Sequence, residues 1–505
     1  MSRPGFVIEV DEKTPALLAL SGQHLGLSKL GQGTQVVYPA EATPSTDPTG
    51  LIDSAIEAPN DGASLASRLK PETKLTIVVL DDDRPRPRMR FDIRRSILER
   101  VLEVAAKQSV DDVAIVIAGG LHKRWSPFDI TRALGDRVAT SFQPDGLIQS
   151  HDITDENLAE VGEVDGHSVK INRRVAESDV VISIGTQFER GGSNPFTASI
   201  LDVDTLRKLG GPQRDDGFGT AVDAMVLEAL DVFAIHAVLG QPLFPGLLRF
   251  ASEREWEWSL ADRASFAAVR QFAALMPKTA GRRLHSTPLA DYAVIDVVGG
   301  APAKVFNEAS AVWEAANIVD VPKQADVVVT SVWGGSFDEG DACGSPINAA
   351  NHALVRRIGA TTGTPYAHSK GVAIAMHPLA PRFSNRRQSA ASDFFAKVLP
   401  STLDPAEMHE FEEAAVRDQW YKDLYRKQFA DHPLRTFQTW YRVFEASAQF
   451  GDVIWVGGDR RTADLFGHRA ATTFADALEM ASDKVGRHPV VTYLRGPGLP
   501  LGDVR

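Results

Sequence analysis

The chain has 505 residues, a hydrophobic fraction of 43% and a formal net charge of −12. That length exceeds a single hydrophobic core, so two or three domains are expected, and the acidic balance speaks against general nucleic-acid binding. One cysteine, Cys343, excludes an internal disulfide framework and a cysteine-rich metal site, and reads as a small core residue.

The N-terminal stretch has no apolar signal-peptide core, and no run reaches the roughly 18 apolar residues of a membrane span. A cytoplasmic protein with no membrane partner is expected. Short Val/Ile-rich runs recur along the chain: KLTIVVLDDD (74–83), DDVAIVIAGG (111–120), SDVVISIG (178–185), DYAVIDVVGG (291–300), QADVVVTSVWGG (324–335), GDVIWVGG (451–458) and HPVVTYL (488–494). Nearly unbroken apolar runs suit strands covered on both faces, as in parallel sheets.

Helical periodicity lies between them. Residues 91–108 place Ile93, Ile97, Leu98, Val101, Val104 and Ala105 on one face, and 473–486 ends in a glycine suited to a C-cap. EALDVFAIHAVLG (228–240) reads as an apolar helical pattern, with His236 as a core residue and a weak metal-ligand candidate. Strand alternating with helix predicts an α/β protein of two doubly wound, Rossmann-like domains with an active-site cleft between them. The Pro- and Gly-containing stretch 277–289 places the boundary near 285, giving domains 1–285 and 286–505. Residues 380–450 read mainly as a helical insertion or partner surface.

Ligands in open α/β sheets bind at the carboxyl ends of strands. LDDDRPRPRMR (80–90) puts Asp81 and Arg84 at such an end, stiffened by Pro85 and Pro87. An arginine fork there suits a carboxylate or phosphate; a solvated loop with internal ion pairs is the bland alternative. AIVIAGGLHKRW puts His122 beyond the next strand, after a Gly-Gly turn, where its ring suits proton transfer. The glycine-rich GFGTAV (217–222) and VIWVGGDRR (453–461) lack the lysine and spacing of phosphate loops and read as turns.

These pieces resemble a known family. Residues 52–87, then IVIAGGLHKRW (115–125), then SHDITDENLAEVGEVDGHSVKINRRVAESDVVISIG (150–185) match the LarA-type lactate racemases in order and spacing. The closing FADALEMASDKVGRHPVVTYLRGPGLP (474–500) is similar too. The resemblance implies an enzyme that interconverts stereoisomers of 2-hydroxy acids. It implies a nickel-pincer nucleotide tethered to a lysine, a hydride leaving and returning to the substrate carbon, and two histidines moving the hydroxyl proton. Asp81 and Arg84 match the family's Asp-x-x-Arg pair, with Arg84 holding a carboxylate, and His122 matches the first acid/base histidine.

The sequence also departs from the family. After the third strand, where a Pro-His and a glycine-rich stretch with the tethering lysine are expected, it reads GTQFERGGSNPFTASILDVDTLRKLGG (185–211). Arg190 stands near the slot of the second histidine, Gly191 and Gly192 match the glycines, and Lys208 comes too late. The C-terminal Tyr-Gln and lysine are also missing; residues 332–357 offer an acidic loop (Asp338, Glu339, Asp341) and then Asn348 and His352, four apart. Tyr366, His368 and Lys370 follow, as candidates to supply acid/base function from across the cleft.

The expected catalytic set is therefore His122, Arg190 and His368, with Asp81, Arg84, Gly191, Gly192 and Lys370 binding a small anionic substrate. Three functions compete: a 2-hydroxy-acid racemase or epimerase, a pincer-independent enzyme on a hydroxy or sugar acid, and a non-catalytic anion-binding protein.

Overall fold

The computed structural model describes residues 6–22, 24–59, 62–81, 87–190, 194–212, 216–276, 289–333, 345–383 and 387–505. Arg84, Gly191, Gly192, the acidic loop and Cys343 lie outside the described residues.

Among the described residues, a seven-stranded sheet runs in the order Arg88–Met89, Leu289–Gly300, Val232–Leu243, Val180–Gln187, Leu75–Leu80, Val113–Ala118, Ile148–Ser150. Its pairs are parallel except for Val232–Leu243 against Leu289–Gly300. The central strand Leu75–Leu80 is buried at every position. Ile77 and Val79 pack on Ile97, Leu98 and Val101 of the helix Ile93–Lys107, while Val78 and Leu80 pack on Phe196, Ile200 and Phe218. Two-faced burial is why the run is unbroken, and each such side chain contributes about 1.5–3 kcal/mol.

A nine-stranded sheet forms the second layer system. Its path is Val7–Glu9, Gln35–Val37, Val491–Leu494, Ala325–Trp333, Ala367–Met376, Asp452–Val456, Arg469–Ala471, and Leu17–Gly22 with His24–Ser28 joins the end of Ala325–Trp333. Val327, Val329 and Ile374 meet Ala477 and Ala481 of the helix Phe474–Val485, which carries a Thr473–Asp476 capping box.

Sheet membership does not follow the chain on either side of residue 285. Leu289–Gly300 closes the first sheet, and strands within 7–37 join the second. Residues 228–240 differ from the helix expected of them: Val232–Leu243 is a strand, buried over its first nine positions. A run apolar on both faces has no period that separates strand from buried helix. GFGTAV, read as a turn, lies inside the helix Asp216–Ala229. In VIWVGGDRR, Gly457 turns at a φ of 71° and the Asp459 carboxylate caps the helix Arg460–Leu465.

The segment 380–450 is mainly helical, with His409–Arg417, Gln419–Gln428 and Pro433–Ala448. It is core as well as surface. Phe394, Phe437 and Trp440 belong to the second sheet's core, and Tyr425 belongs to the first sheet's.

Candidate active site

Asp81 and His122 follow neighbouring parallel strands whose ends are in register, Leu80 opposite Ala118. The Asp81 amide extends the ladder to the Ala118 carbonyl at 2.8 Å. The chain then turns sharply, with Gly120 at a φ of +56° and the His122 amide donating to the Gly119 carbonyl at 3.0 Å. A Cβ on Gly119 would lie 3.3 Å from the Asp81 Cβ and 3.4 Å from the His122 Cβ, so a side chain there would crowd the pair. His122 Nδ1 sits 2.9 Å from Asp81 Oδ2, with the side chains 3% and 6% exposed. A carboxylate on one ring nitrogen fixes the tautomer and supports the imidazolium that forms on proton uptake.

The His122 loop is clamped by the C-terminal helical segment. The His432 amide donates to the Leu121 carbonyl, and the Lys123 amide to Asp431 Oδ1 at 3.2 Å. Asp152 takes Arg426 at 3.0 Å and Arg124 at 3.7 Å. The family-like His-Asp and Asn-Arg pieces thus have framework roles. His151 Nε2 meets the Leu201 carbonyl at 2.9 Å, and Asn172 caps the helix Arg173–Ala176. Burial holds His151 below the ordinary imidazole range.

Near the carboxyl ends of both sheets lies a cavity of about 40 Å³, walled in part by Phe188, Tyr292, Ser331, His352, Arg357 and Gly496. Pro87 also lines it, and the Pro87 carbonyl accepts from the Tyr292 hydroxyl at 2.7 Å. Asp81, the partner of His122, and Pro87, in the cavity wall, thus stand on either side in sequence of Arg84, which lies outside the described residues. Burial first, and then the Arg357 and Arg356 charges, hold His352 well below the ordinary imidazole range.

The other expected site residues lie elsewhere. Arg190 is half-exposed and donates to Glu314 Oε1 at 3.1 Å and to the Thr361 carbonyl at 3.0 Å, tying the strand end to the helix Pro302–Asn317. His368 and Lys370 are exposed at the amino end of Ala367–Met376, whereas the carboxyl end of that strand, at Met376, pairs with the cavity residue Ser331. Sequence order does not reveal that they occupy the far edge. His236 is fully buried in its strand, with its ring edge-on to Phe306 at 4.6 Å, which suits a core residue. Asn348 is half-buried in the wall of a smaller pocket with Arg387 and Asp431.

Sequence reading missed Arg357. It lies in a π-helix, Asn351–Ile358, whose wider turn brings His352 and Arg357 to one cavity. At α-helical spacing residues five apart point away from each other.

Among the described residues, neither Lys208 nor Lys123 is placed to tether a metal nucleotide. Lys208 places its Nζ 3.9 Å from the Phe218 ring centre, and Lys123, beside His122, is buried 3.4 Å from Asp129. Among the described residues no three His, Cys, Asp or Glu side chains are grouped to hold a metal.

Residues 25–187 match the lactate racemase N-terminal domain family, which covers less than half of the chain. The lactate racemase apoprotein from Thermoanaerobacterium thermosaccharolyticum has a similar fold, with a TM-score of 0.62 and 15% identity over 97% of this chain and 100% of that chain. A Thermotoga maritima protein aligns over 93% of this chain and 100% of its own, at 12% identity and a TM-score of 0.49. No curated protein matches the chain.

Proposed function

We propose that this chain, LarA-like in its N-terminal domain and its fold, is an isomerase that racemises or epimerises a small 2-hydroxy acid. The buried contact between His122 Nδ1 and Asp81 Oδ2 at 2.9 Å carries the reading. Asp81 orients the ring, and His122 is the base that takes the proton from substrate C2, leaving an enediolate that is reprotonated on its other face. Arg84, which follows Asp81 in the sequence, is the proposed partner of the substrate carboxylate.

The poor fit of Lys208 and Lys123 favours a reaction that does not depend on a lysine-tethered nickel group. The test is incubation of a single enantiomer of lactate, and then of larger 2-hydroxy acids, in deuterated water, read by chiral chromatography and mass spectrometry. Loss of enantiomeric excess with wild-type protein supports the isomerase. Deuterium at C2 assigns proton abstraction at carbon, and its exclusion assigns hydride transfer. Unchanged enantiomers across the whole series would leave an anion-binding protein instead.

A further inference from the structure

The cavity near the ends of both sheets is walled by a buried cation held by neutral groups. Arg357 is 2% exposed. Its guanidinium donates to the Thr330 hydroxyl at 2.7 Å, to the Leu494 carbonyl at 2.9 Å and to the Gly498 carbonyl. These neutral acceptors engage three of the five N–H donors of an arginine. The nearby arginines are treated differently. Arg495 is paired with Glu255 at 3.1 Å, and Arg356 is paired with Glu189. Burial pushes the Arg357 pKa down to about 10, and Arg495 adds repulsion.

Keeping a buried charge without a counter-charge is expensive, and an anion beside it offsets that cost. The cavity has the room. One water needs roughly 10–15 Å³ of such space, so about 40 Å³ suits a carboxylate with a short substituent. The lining combines polar groups, the Ser331 hydroxyl, His352 and Arg357, with the apolar surfaces of Leu20, Phe188 and Tyr292. Gly496 keeps the approach open, since a Cβ there would stand 3.5 Å from Arg357 Nη1 and 3.4 Å from Ser331 Oγ.

We propose that Arg357 anchors a binding site for the carboxylate of a small monocarboxylic acid, with Ser331 and His352 as polar neighbours. The site does not depend on the proton-transfer role given to His122.

Calorimetric titration of the full chain with L-lactate, D-lactate and acetate tests it, with propane-1,2-diol as the uncharged control. Saturable binding of at least one carboxylate is expected, and none of the diol. Arg357→Gln and Gly496→Ala should each weaken that binding roughly 10- to 100-fold, the scale of a charged hydrogen bond. Near-ultraviolet circular dichroism checks folding, and if Arg357→Gln does not fold, Gly496→Ala decides. Absence of saturable carboxylate binding, or affinity unchanged in the variants that fold, overturns the site. Arg357-dependent binding without isomerase turnover would sustain the site and remove the functional reading above. Turnover with binding indifferent to both variants would do the reverse.

Discussion

The Asp81 carboxylate and the His122 imidazole meet at 2.9 Å because their strands are parallel neighbours and both side chains emerge at the same edge. Asp81→Asn keeps the shape but loses the charge that supports an imidazolium. Turnover should fall about 10- to 100-fold, the usual cost of losing a group that orients a reacting residue. Turnover equal to wild type on a confirmed substrate would make the pair structural only.

Arg190 stands on Glu314 and Thr361 rather than beside His122. Half-exposed pairs contribute about 0–1 kcal/mol. Arg190→Ala should therefore lower stability by no more than that and leave turnover near wild type. A loss of roughly 10²-fold or more, the scale of an acid–base group, would return Arg190 to the reacting centre.

Gly185 lies opposite His236 in the first sheet, and a Cβ there would fall 2.5 Å from His236 Nε2 and 2.9 Å from Leu80 Cδ1. Gly185→Ala should destabilise by about 1–3 kcal/mol in urea denaturation, as overpacked cores do. Adding His236→Ala should recover part of that loss. Two losses that simply add would show that the ring is not what crowds the site.

Two buried histidines make acid stability predictable. Burial lowers the pKa of His432 to about 3 and that of His468 to about 4. Between the ordinary value near 6.5 and these folded values, the unfolded chain binds protons that the folded chain does not. Stability is therefore full above about pH 6.5 and falls as pH drops, by up to about 1.4 kcal/mol per pH unit for each group. His432 Nδ1 accepts from the Leu434 amide at the start of a helix. Asn can make the same cap without titrating. His432→Asn should flatten the urea-derived stability slope between pH 4 and 6 by about one proton's worth. An unchanged slope would show that His432 titrates alike in both states.

Much of the fold was legible because the strands announce themselves locally. Each Val/Ile run chosen from sequence is a strand, and Asp81 and His122 sit at the edge that strand polarity implies. What sequence hid depends on long-range pairing. Val232–Leu243 was lost because burial on both faces erases its period. The antiparallel closure by Leu289–Gly300 and the strands within 7–37 depend on partners hundreds of residues away. His368 and Lys370 looked well placed because a loop beside an apolar run does not say which end of the strand faces a cleft. Arg357 was invisible because a π-helix changes which residues share a side.

The central claim is that His122 exchanges the substrate proton, and the most direct measurement is turnover of His122→Asn on a substrate confirmed with wild-type protein. Asn keeps polarity and much of the size but cannot titrate. Because the ring is buried against Asp81, a stability loss of about 1–3 kcal/mol is expected, so rates are compared at a temperature where both proteins are folded. The account predicts a fall of roughly 10²–10⁴ in turnover with carboxylate binding retained. Wild-type turnover in the folded variant would contradict it.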